Sequence, residues 1–156
     1  MLVNTHIHTV KDLVSESARE YNDRDYLRFA ENGEIKGVSF KQFKEDTDAI
    51  AAWTLRQNQK LGKRVKVAML SPNSQLYTKM LVGVMCGNGV SVPIDPQINP
   101  ESLYNCLNKA EVDIIIYDKS IPLDRKTIFN KCRNIQNILH FADNENRDCT
   151  DIIEKI

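Results

Sequence analysis

Four short apolar runs, separated by segments with helical periodicity, dominate residues 63–142. They read VKVAML, VSVPI, DIIIYD and NILHF, at residues 65–70, 90–94, 113–118 and 137–141. Helices are predicted between them, at residues 74–85, 100–109 and 127–133. Strands that alternate with helices are typical of βαβ units, and strands that are apolar throughout suit a sheet covered on both faces. The sequence therefore predicts an α/β fold with a largely parallel sheet flanked by helices.

The amino-terminal part of the chain predicts a helix and a β-hairpin. Residues 9–21 place apolar side chains at helical spacing, and Thr9 with Asp12 forms the pattern of a capping box. The dipeptide Asn32-Gly33 is a turn signal within residues 26–40, which we interpret as a hairpin.

A long helix is predicted after the hairpin. Ser39, with Gln42 three residues later, has the spacing of a second capping box, and Gly62 marks the end of the helix. Its predicted buried stripe consists of Phe43, Thr47, Ile50, Ala51, Thr54 and Leu61. A further short helix is predicted at residues 150–156, after a polar stretch.

The segment CGNGVSVPIDPQINP, residues 86–100, places three prolines beside one of the apolar runs. Its two glycines are interpreted as a helix C-cap and a tight turn into the strand. Pro93 requires a sheet edge or a strand end, because proline has no N–H for the ladder. Pro96 follows Asp95 in a turn, and Pro100 suits the first position of the next helix.

Composition and charge narrow the class of protein. With 156 residues, of which 42% are hydrophobic, the chain is long enough for one domain. Lys and Arg together number 21, as do Asp and Glu, so no basic face for nucleic acid is expected. No apolar run reaches the roughly 18 residues of a membrane span, and the start of the chain lacks the pattern of a secretory signal. We therefore expect a cytoplasmic protein.

Metal and thiol sites are weakly supported by the sequence. His6 and His8 form an HxH pair, which is interpreted as two exposed terminal histidines rather than the first ligands of a metal hydrolase. Stoichiometric zinc would revive the hydrolase hypothesis. The cysteines have no CxxC spacing and are interpreted as reduced thiols; they are Cys86, Cys106, Cys132 and Cys149.

Nucleotide-binding motifs of the common kinds are missing from the sequence. Gly87-Asn88-Gly89 begins like a dinucleotide fingerprint, but the third glycine is absent and the turn precedes a strand instead of a helix. Neither a G-x-x-x-x-G-K-[ST] loop nor a G-x-S-x-G elbow occurs. We therefore expect no NAD site at these glycines.

Two predicted loops lie at the carboxyl ends of strands, where α/β sheets bind ligands. Asn73 and Ser74 either present a helix N-terminus to an anion or form a helix cap, and the cap is the favoured interpretation. Asp95 is either a catalytic carboxylate or the first residue of a turn, and the turn is favoured.

Residues 83–118, which read GVMCGNGVSVPIDPQINPESLYNCLNKAEVDIIIYD, resemble a segment of the adenylate-forming superfamily. That superfamily includes acyl-CoA synthetases, luciferases and the adenylation domains of peptide synthetases. The matching positions are Gly89, Val92, Pro93, Ile94, Asp95, Pro96 and Pro100. An upstream segment is also similar to the family, through Phe40, Gly62, Arg64, Val65, Val67, Pro72, Asn73 and Ser74. The resemblance extends from Thr9 to about Asp118.

The resemblance implies a two-step reaction for the full-length enzyme. A carboxylate attacks the α-phosphorus of ATP, which releases pyrophosphate, and a thiol such as CoA then displaces AMP. ATP, Mg²⁺ and CoA are the implied cofactors, with a carboxylic acid, fatty or otherwise, as substrate. The family's Ser/Thr/Gly-rich phosphate loop ending in Pro-Lys does not occur in this sequence, nor do its later motifs. The chain itself is therefore expected to be inactive, with no catalytic, cofactor-binding or metal-binding residue.

The sequence thus predicts the amino-terminal part, residues 1–156, of an AMP-binding, acyl-CoA synthetase-like domain. Residues 1–62 are expected to form the helix, hairpin and long helix, residues 63–142 the sheet, and residues 143–156 a polar tail with a short helix. The remainder of the parent chain is the expected partner, and self-association through exposed apolar surface is expected without it. Two alternatives remain open: a free-standing, non-catalytic α/β interaction module, or part of an amino-acid-activating domain.

Overall fold

The computed structural model describes residues 7–141 and contains five helices and six strands in that range. The helices are α1 (Val10–Tyr21), α2 (Phe40–Leu61), α3 (Gln75–Cys86), α4 (Pro100–Ala110) and α5 (Arg125–Lys131). The strands are β1 (Asp25–Glu31), β2 (Glu34–Ser39), β3 (Lys66–Leu70), β4 (Val90–Ile94), β5 (Ile114–Tyr117) and β6 (Asn137–His140). The predicted helix at residues 150–156 lies outside the described residues, and the predicted boundaries at residues 62 and 142 stay predictions.

A four-stranded parallel sheet with the order β4-β3-β5-β6 forms the centre of the fold, which confirms the predicted class. Helices α2 and α3 cover one face, and α4 and α5 cover the other. Side chains of the strands alternate between the two faces, as the pleat requires. The first core includes Ile50, Trp53, Val65, Val67, Met69, Met80, Val84, Ile114, Ile116 and Phe141. The second includes Ala68, Leu70, Ile94, Leu103, Leu107, Ile115, Ile128 and Ile138.

The predicted hairpin is a separate two-stranded antiparallel sheet. Its turn uses Asn32 and Gly33 at φ values of 50° and 83°, a left-handed pair that matches the twist of a two-residue hairpin. The ring of Tyr26 lies 4.9 Å from that of Phe40 and 4.4 Å from that of Phe43. The hairpin is therefore anchored by aromatic contacts to the start of α2.

Helix capping follows the prediction at α1 and departs from it at α2. Thr9 and Asp12 form a complete capping box, as expected. Ser39 accepts a hydrogen bond from the Gln42 backbone N–H at 3.1 Å, which confirms the N-cap. The reciprocal bond predicted for Gln42 was wrong, because its side-chain amide donates instead to Asp46 Oδ1 at 3.0 Å. The side-chain amide of Gln42 thus binds the buried carboxylate of Asp46, one turn further along the helix, and not the backbone of the N-cap residue.

Helices α2 and α3 pack closely because glycines line their contact. A Cβ atom added at Gly83 would lie 2.5 Å from Ile50 Cβ, and one at Gly87 would lie 2.5 Å from Thr54 Cβ. Gly87 is the C-cap of α3, as predicted, but its φ is −86° and the left-handed residue of the turn is Asn88, with φ 58°. The glycines at this turn therefore serve close packing more than backbone conformation.

The same helix pair contains a buried ion pair. Lys79 Nζ of α3 lies 2.7 Å from Asp46 Oδ2 of α2, and the two side chains are only 9% and 7% exposed. Asp46 Oδ2 has no aligned hydrogen-bond donor despite this contact. Since desolvation offsets much of the attraction in such a pair, its main consequence is that either charge alone would be strongly destabilising.

Two polar side chains, one from α2 and one from the segment that follows it, hold the turns at the amino edge of the sheet. Asn58 Oδ1 accepts from the Val65 N–H at 2.7 Å, and its Nδ2 donates to the Gly87 carbonyl at 3.1 Å. Arg64 donates to the carbonyls of Asn88 and Gly89. These bonds satisfy backbone groups that neither a helix nor a strand pairs, so the turn is held where α2, α3 and β4 meet.

Pro93 lies in β4, which is an outer strand of the sheet in the described residues. The Val90 N–H donates to the Val65 carbonyl at 2.8 Å, toward the sheet. Backbone direction alternates along a strand, so Ser91 and Pro93 point outward. The proline therefore removes a donor that has no ladder partner in residues 7–141, and of the two predicted positions, a sheet edge or a strand end, the outer strand is the one observed there. Within residues 7–141, no helix combines the length and apolar character that crossing a bilayer requires.

Replacement of Gly83 by alanine should destabilise the fold by about 1–3 kcal/mol, since overpacking would force α2 and α3 apart. Alanine improves intrinsic helix propensity by about 1 kcal/mol, so a net loss would isolate the packing effect. Urea denaturation measures the difference. The control Met85→Ala, at an exposed position of the same helix, should change stability by about 0.5 kcal/mol or less. A Gly83→Ala variant as stable as wild type would contradict the close contact.

Candidate functional site at the carboxyl edge of the sheet

The strand order reverses direction at β3, and this reversal marks the candidate site. The chain passes from β3 to β4 on one side and then crosses to β5 on the other. Loops that leave the carboxyl ends of β3 and β5 therefore diverge, and open α/β sheets bind ligands in the crevice between such loops. The loops of this edge are residues 71–74, 95–99 and 118–124.

The loop after β3 forms a helix cap. Ser71 is buried, and its hydroxyl donates to the Pro72 carbonyl at 2.8 Å. Ser74 is the N-cap of α3 and accepts from the Tyr77 N–H at 3.1 Å. Asn73 is exposed. The geometry supports the capping interpretation of Ser74, because its hydroxyl is already engaged by the helix.

Asp95 begins a turn after β4, as the sequence suggested. Its Oδ1 accepts from the Gln97 N–H at 2.8 Å, and its carbonyl accepts from the Ile98 N–H at 3.1 Å. Asn99 then caps α4, with Pro100 in the first helical turn. The carboxylate of Asp95 is thus part of an Asx turn, and its lack of a catalytic role stays a prediction.

The loop after β5 contains two acidic residues that are also engaged by the backbone. The Asp118 N–H donates to the Leu70 carbonyl at 2.9 Å, which joins this loop to the end of β3. Asp118 Oδ1 accepts from the Ser120 N–H at 2.9 Å and from its hydroxyl at 2.6 Å. Asp124 is the N-cap of α5, and the hydroxyl and N–H of Thr127 lower the pKa of its carboxyl.

A cleft of about 220 Å³ opens between the loops 95–99 and 118–124, on the face covered by α4 and α5. Its lining is largely apolar and includes Leu70, Pro96, Ile98, Pro100, Leu103, Tyr104, Ile121, Pro122, Leu123 and Ile128, with the carboxylate of Asp124. The sequence patterns predict no site at residues 121–123, which connect β5 to α5. An apolar triplet around a proline in a loop was the signal available. The cleft suits contact with apolar groups and offers no paired acid and base.

The other candidate motifs lie away from this edge. Gly87-Asn88-Gly89 precedes β4, at the amino edge of the sheet, so these glycines do not border the ligand crevice. His6 lies outside the described residues, and His8 is exposed, with its N–H donating to Asp12 Oδ2 at 3.1 Å. Among residues 7–141, no cluster of three His, Cys, Asp or Glu side chains is arranged to hold a metal ion.

The described cysteines are free thiols. Cys86 is half-buried, Cys106 is exposed and Cys132 is buried. Burial raises the pKa of the Cys86 thiol, and the charge of Asp48 raises it further. Burial likewise raises the pKa of Cys132. Raised values favour the neutral thiol over the reactive thiolate, as expected of structural cysteines. Cys149 lies outside the described residues.

Comparison with known proteins gives one family. A family model described as AMP-binding enzyme matches residues 14–155. A long-chain-fatty-acid–CoA ligase of Escherichia coli O6:H1 is 29% identical over 105 residues, which are 67% of this chain and 18% of that protein. The corresponding ligase of Haemophilus influenzae is 24% identical over 132 residues, or 84% of this chain and 22% of that protein. The chain thus spans about a fifth of the length of these curated relatives.

Solved structures share the fold at low sequence identity. A long-chain-fatty-acid-CoA ligase from Archaeoglobus fulgidus superposes with a TM-score of 0.73 at 16% identity, over 94% of this chain and 30% of that one. An anthranilate CoA ligase solved with anthranoyl-AMP superposes with a TM-score of 0.74 at 13% identity, over 95% of this chain and 27% of that one. These likenesses establish the architecture, and the two enzymes act on different classes of acid.

Thr127→Val should raise the pKa of Asp124 toward its ordinary value, because the variant removes the hydroxyl that stabilises the carboxylate. Folding lowers this pKa, so the capping contribution is present above the ordinary value and is lost as pH falls through the lowered one. Carbon-13 NMR titration of the side-chain carboxyls measures the shift. Asp12, the third residue of the α1 capping box, whose carboxyl pKa is lowered by its hydrogen bonds with Thr9, is the internal control and should titrate unchanged. An unchanged Asp124 pKa would contradict the hydrogen bond from the Thr127 hydroxyl.

Proposed function

The chain belongs to the AMP-binding enzyme family, and on that premise we propose that it is the amino-terminal part of an ATP-dependent, AMP-forming acid–thiol ligase. The proposed reaction of the whole enzyme joins a carboxylate to AMP with release of pyrophosphate. A thiol, CoA in this proposal, then displaces AMP to give the thioester. The observation that carries the proposal is the family match across residues 14–155. The proposed location is the cytoplasm.

The proposed role of this part of the enzyme is to build one wall of the catalytic domain. The parallel sheet places three loops at one edge, and their polar groups are engaged in caps and turns, as at Ser74, Asp95 and Asp118. Such loops are rigid, so they can support neighbouring segments that do the chemistry. The apolar cleft beside them is suited to packing against further apolar groups of the enzyme or its substrate.

The described residues do not fit ATP or Mg²⁺ as a site of their own. Binding the charged phosphates of ATP requires free N–H donors, cations and carboxylates that converge on one point. At the carboxyl edge, the hydroxyl of Ser74 and the carboxylates of Asp95 and Asp118 already accept backbone N–H groups. We therefore assign ATP, Mg²⁺ and CoA to the full-length enzyme, and no step of the reaction to this chain.

The proposed acid substrate is a fatty or other organic acid. Both curated relatives described above are named for long-chain fatty acids, which favours that class. The anthranilate enzyme has the same architecture over 95% of this chain, so the fold of this part is compatible with aromatic acids as well. A substrate choice made elsewhere in the enzyme would explain why one architecture serves both.

Two alternative functions, an interaction module and an amino-acid-activating domain, can be distinguished from the ligase by experiment. A free-standing, non-catalytic interaction module would also have a well-packed sheet, and its loops would need no ligand-binding residue. An amino-acid-activating domain belongs to the same superfamily and would differ in the acid that it adenylates. The sequence that follows residue 156 in the gene discriminates among these functions, because the ligase requires a Ser/Thr/Gly-rich loop ending in Pro-Lys within a few tens of residues.

The 156-residue chain should show no ATP–pyrophosphate exchange with a panel of fatty, aromatic and amino acids, because its sequence contains no Ser/Thr/Gly-rich loop ending in Pro-Lys to stabilise charge on the phosphates. Radiolabelled pyrophosphate measures the exchange, with the Escherichia coli relative as the positive control. Exchange above the protein-free rate would contradict the predicted inactivity.

The protein extended by the coding sequence after residue 156 should form acyl-CoA in a reaction that requires ATP and CoA. Acyl-CoA is measured by chromatography with the same panel of acids. Exchange that requires an amino acid, without CoA-dependent product, would favour the amino-acid-activating alternative. A gene that ends at residue 156 would support the interaction module.

A further inference from the structure

The dipeptide Asn-Gly occurs twice in the sequence, and the structure places both copies in tight turns. Asn32-Gly33 is the tip of the hairpin, and Asn88-Gly89 is the turn between α3 and β4. Both asparagines have left-handed backbones, with φ values of 50° and 58°. Asparagine followed by glycine is chemically labile, because glycine has no side chain to hinder attack of its nitrogen on the asparagine amide. One chain therefore offers the same labile dipeptide in two different surroundings.

The surrounding fold holds the turn at Asn88-Gly89. The Gly89 N–H donates to the Val84 carbonyl at 2.9 Å, so its nitrogen is engaged. The Asn88 carbonyl accepts from Arg64 Nε at 3.2 Å and from Asn58 Nδ2 at 3.3 Å. A Cβ atom added at Gly89 would lie 2.8 Å from Val84 Cγ1, so there is no room for the backbone to rearrange in place. Movement of this turn requires local opening of the junction of α2, α3 and β4.

The turn at the tip of the hairpin has no such contacts. Within residues 7–141, the Gly33 N–H donates no backbone hydrogen bond, since a two-residue hairpin pairs only the flanking residues, Glu31 and Glu34. A Cβ atom added at Gly33 would meet no atom within 4 Å. Asn32 is exposed, and Ile35 beyond the turn is 80% exposed. The tip can therefore open by breaking the last rung of a two-stranded ladder.

We propose that Asn32 is a site of spontaneous deamidation in this chain and that the fold protects Asn88 from the same reaction. The Gly33 backbone nitrogen attacks Cγ of Asn32 and loses its proton to a base in the solvent. The side-chain nitrogen leaves as ammonia, and a cyclic imide remains. Water then opens the imide at one of its two carbonyls. Attack at Cγ gives aspartate, and attack at the main-chain carbonyl gives isoaspartate.

The products change the hairpin in two ways. Isoaspartate routes the backbone through the side-chain methylene, so the turn becomes one carbon longer than the two-residue turn that sets the register of β1 against β2. Either product also adds a carboxylate between Glu31 and Glu34, and neighbouring like charges weaken strand pairing. The modification therefore loosens the hairpin whose Tyr26 packs against the start of α2.

The experiment follows both asparagines in the folded 156-residue chain during incubation in mildly alkaline buffer. Tryptic peptides separate the two sites, since Asn32 lies in residues 29–36 and Asn88 in residues 80–109. Mass spectrometry measures replacement of the amide NH2 by OH at each position. Asn32 should react at least about tenfold faster than Asn88, because reaction at Asn88 requires several further hydrogen bonds to break. Equal rates, or a faster reaction at Asn88, would overturn the proposal.

The same chain unfolded in guanidinium is the matched control. There the two Asn-Gly dipeptides should react at similar rates, so any difference in the folded chain comes from the structure. Asn32 should react in the folded chain at no less than about a tenth of its rate in the unfolded chain, because opening the tip costs little. A slower reaction would show that the tip is closed and would overturn the proposal.

Hydrogen exchange gives an independent measurement of the two turns. The Gly33 amide should exchange at nearly the rate of an unprotected amide, and the Gly89 amide at least about tenfold more slowly. NMR of the folded 156-residue chain measures both amides in one sample. Slow exchange at Gly33 would show that residues outside the described range hold the tip, and it would overturn the proposal.

Discussion

The close approach of α2 to α3 is the contact on which the arrangement of the fold depends. The hydrogen at Gly83 admits Ile50, and the hydrogen at Gly87 admits Thr54, so the two helices lie against one another along most of α3. That spacing brings Trp53 and Met80 onto the same face of the sheet. A wider spacing would open a void above β3 and β5, because buried side chains in a close-packed interior do not expand to fill one.

Helix spacing also accounts for the polar groups that the two helices bury. Lys79 Nζ can reach Asp46 Oδ2 because the glycines let the backbones of α2 and α3 approach closely. Asn58 reaches both Val65 and Gly87 for the same reason. Buried polar groups tolerate little displacement, since each one that loses its partner destabilises the fold. Apolar packing and polar pairing therefore select the same position of α3 along α2.

Much of this architecture was predictable because it is encoded in local patterns. The apolar runs gave every strand of the parallel sheet, and the cap residues Thr9, Ser39 and Gly62 gave helix ends to within a residue. The missing N–H of Pro93 alone restricted it to a sheet edge or a strand end. Gln42 was assigned wrongly because its partner, Asp46, is selected by burial against α3, which no local pattern encodes. The cleft around Ile121 escaped prediction for a similar reason: it exists only where two loops that are distant in sequence, residues 95–99 and 118–124, converge beside α4 and α5.

Trp53 is the only tryptophan of the chain, and its position makes it an intrinsic optical reporter. It lies on α2 with 1% of its surface exposed, in the core between α2, α3 and the sheet, and its indole N–H has no hydrogen-bond partner. An indole in such surroundings emits at short wavelength, and its emission moves to the red when water reaches it. The fluorescence of the unmodified protein therefore follows the separation of α2 from the sheet without any introduced label.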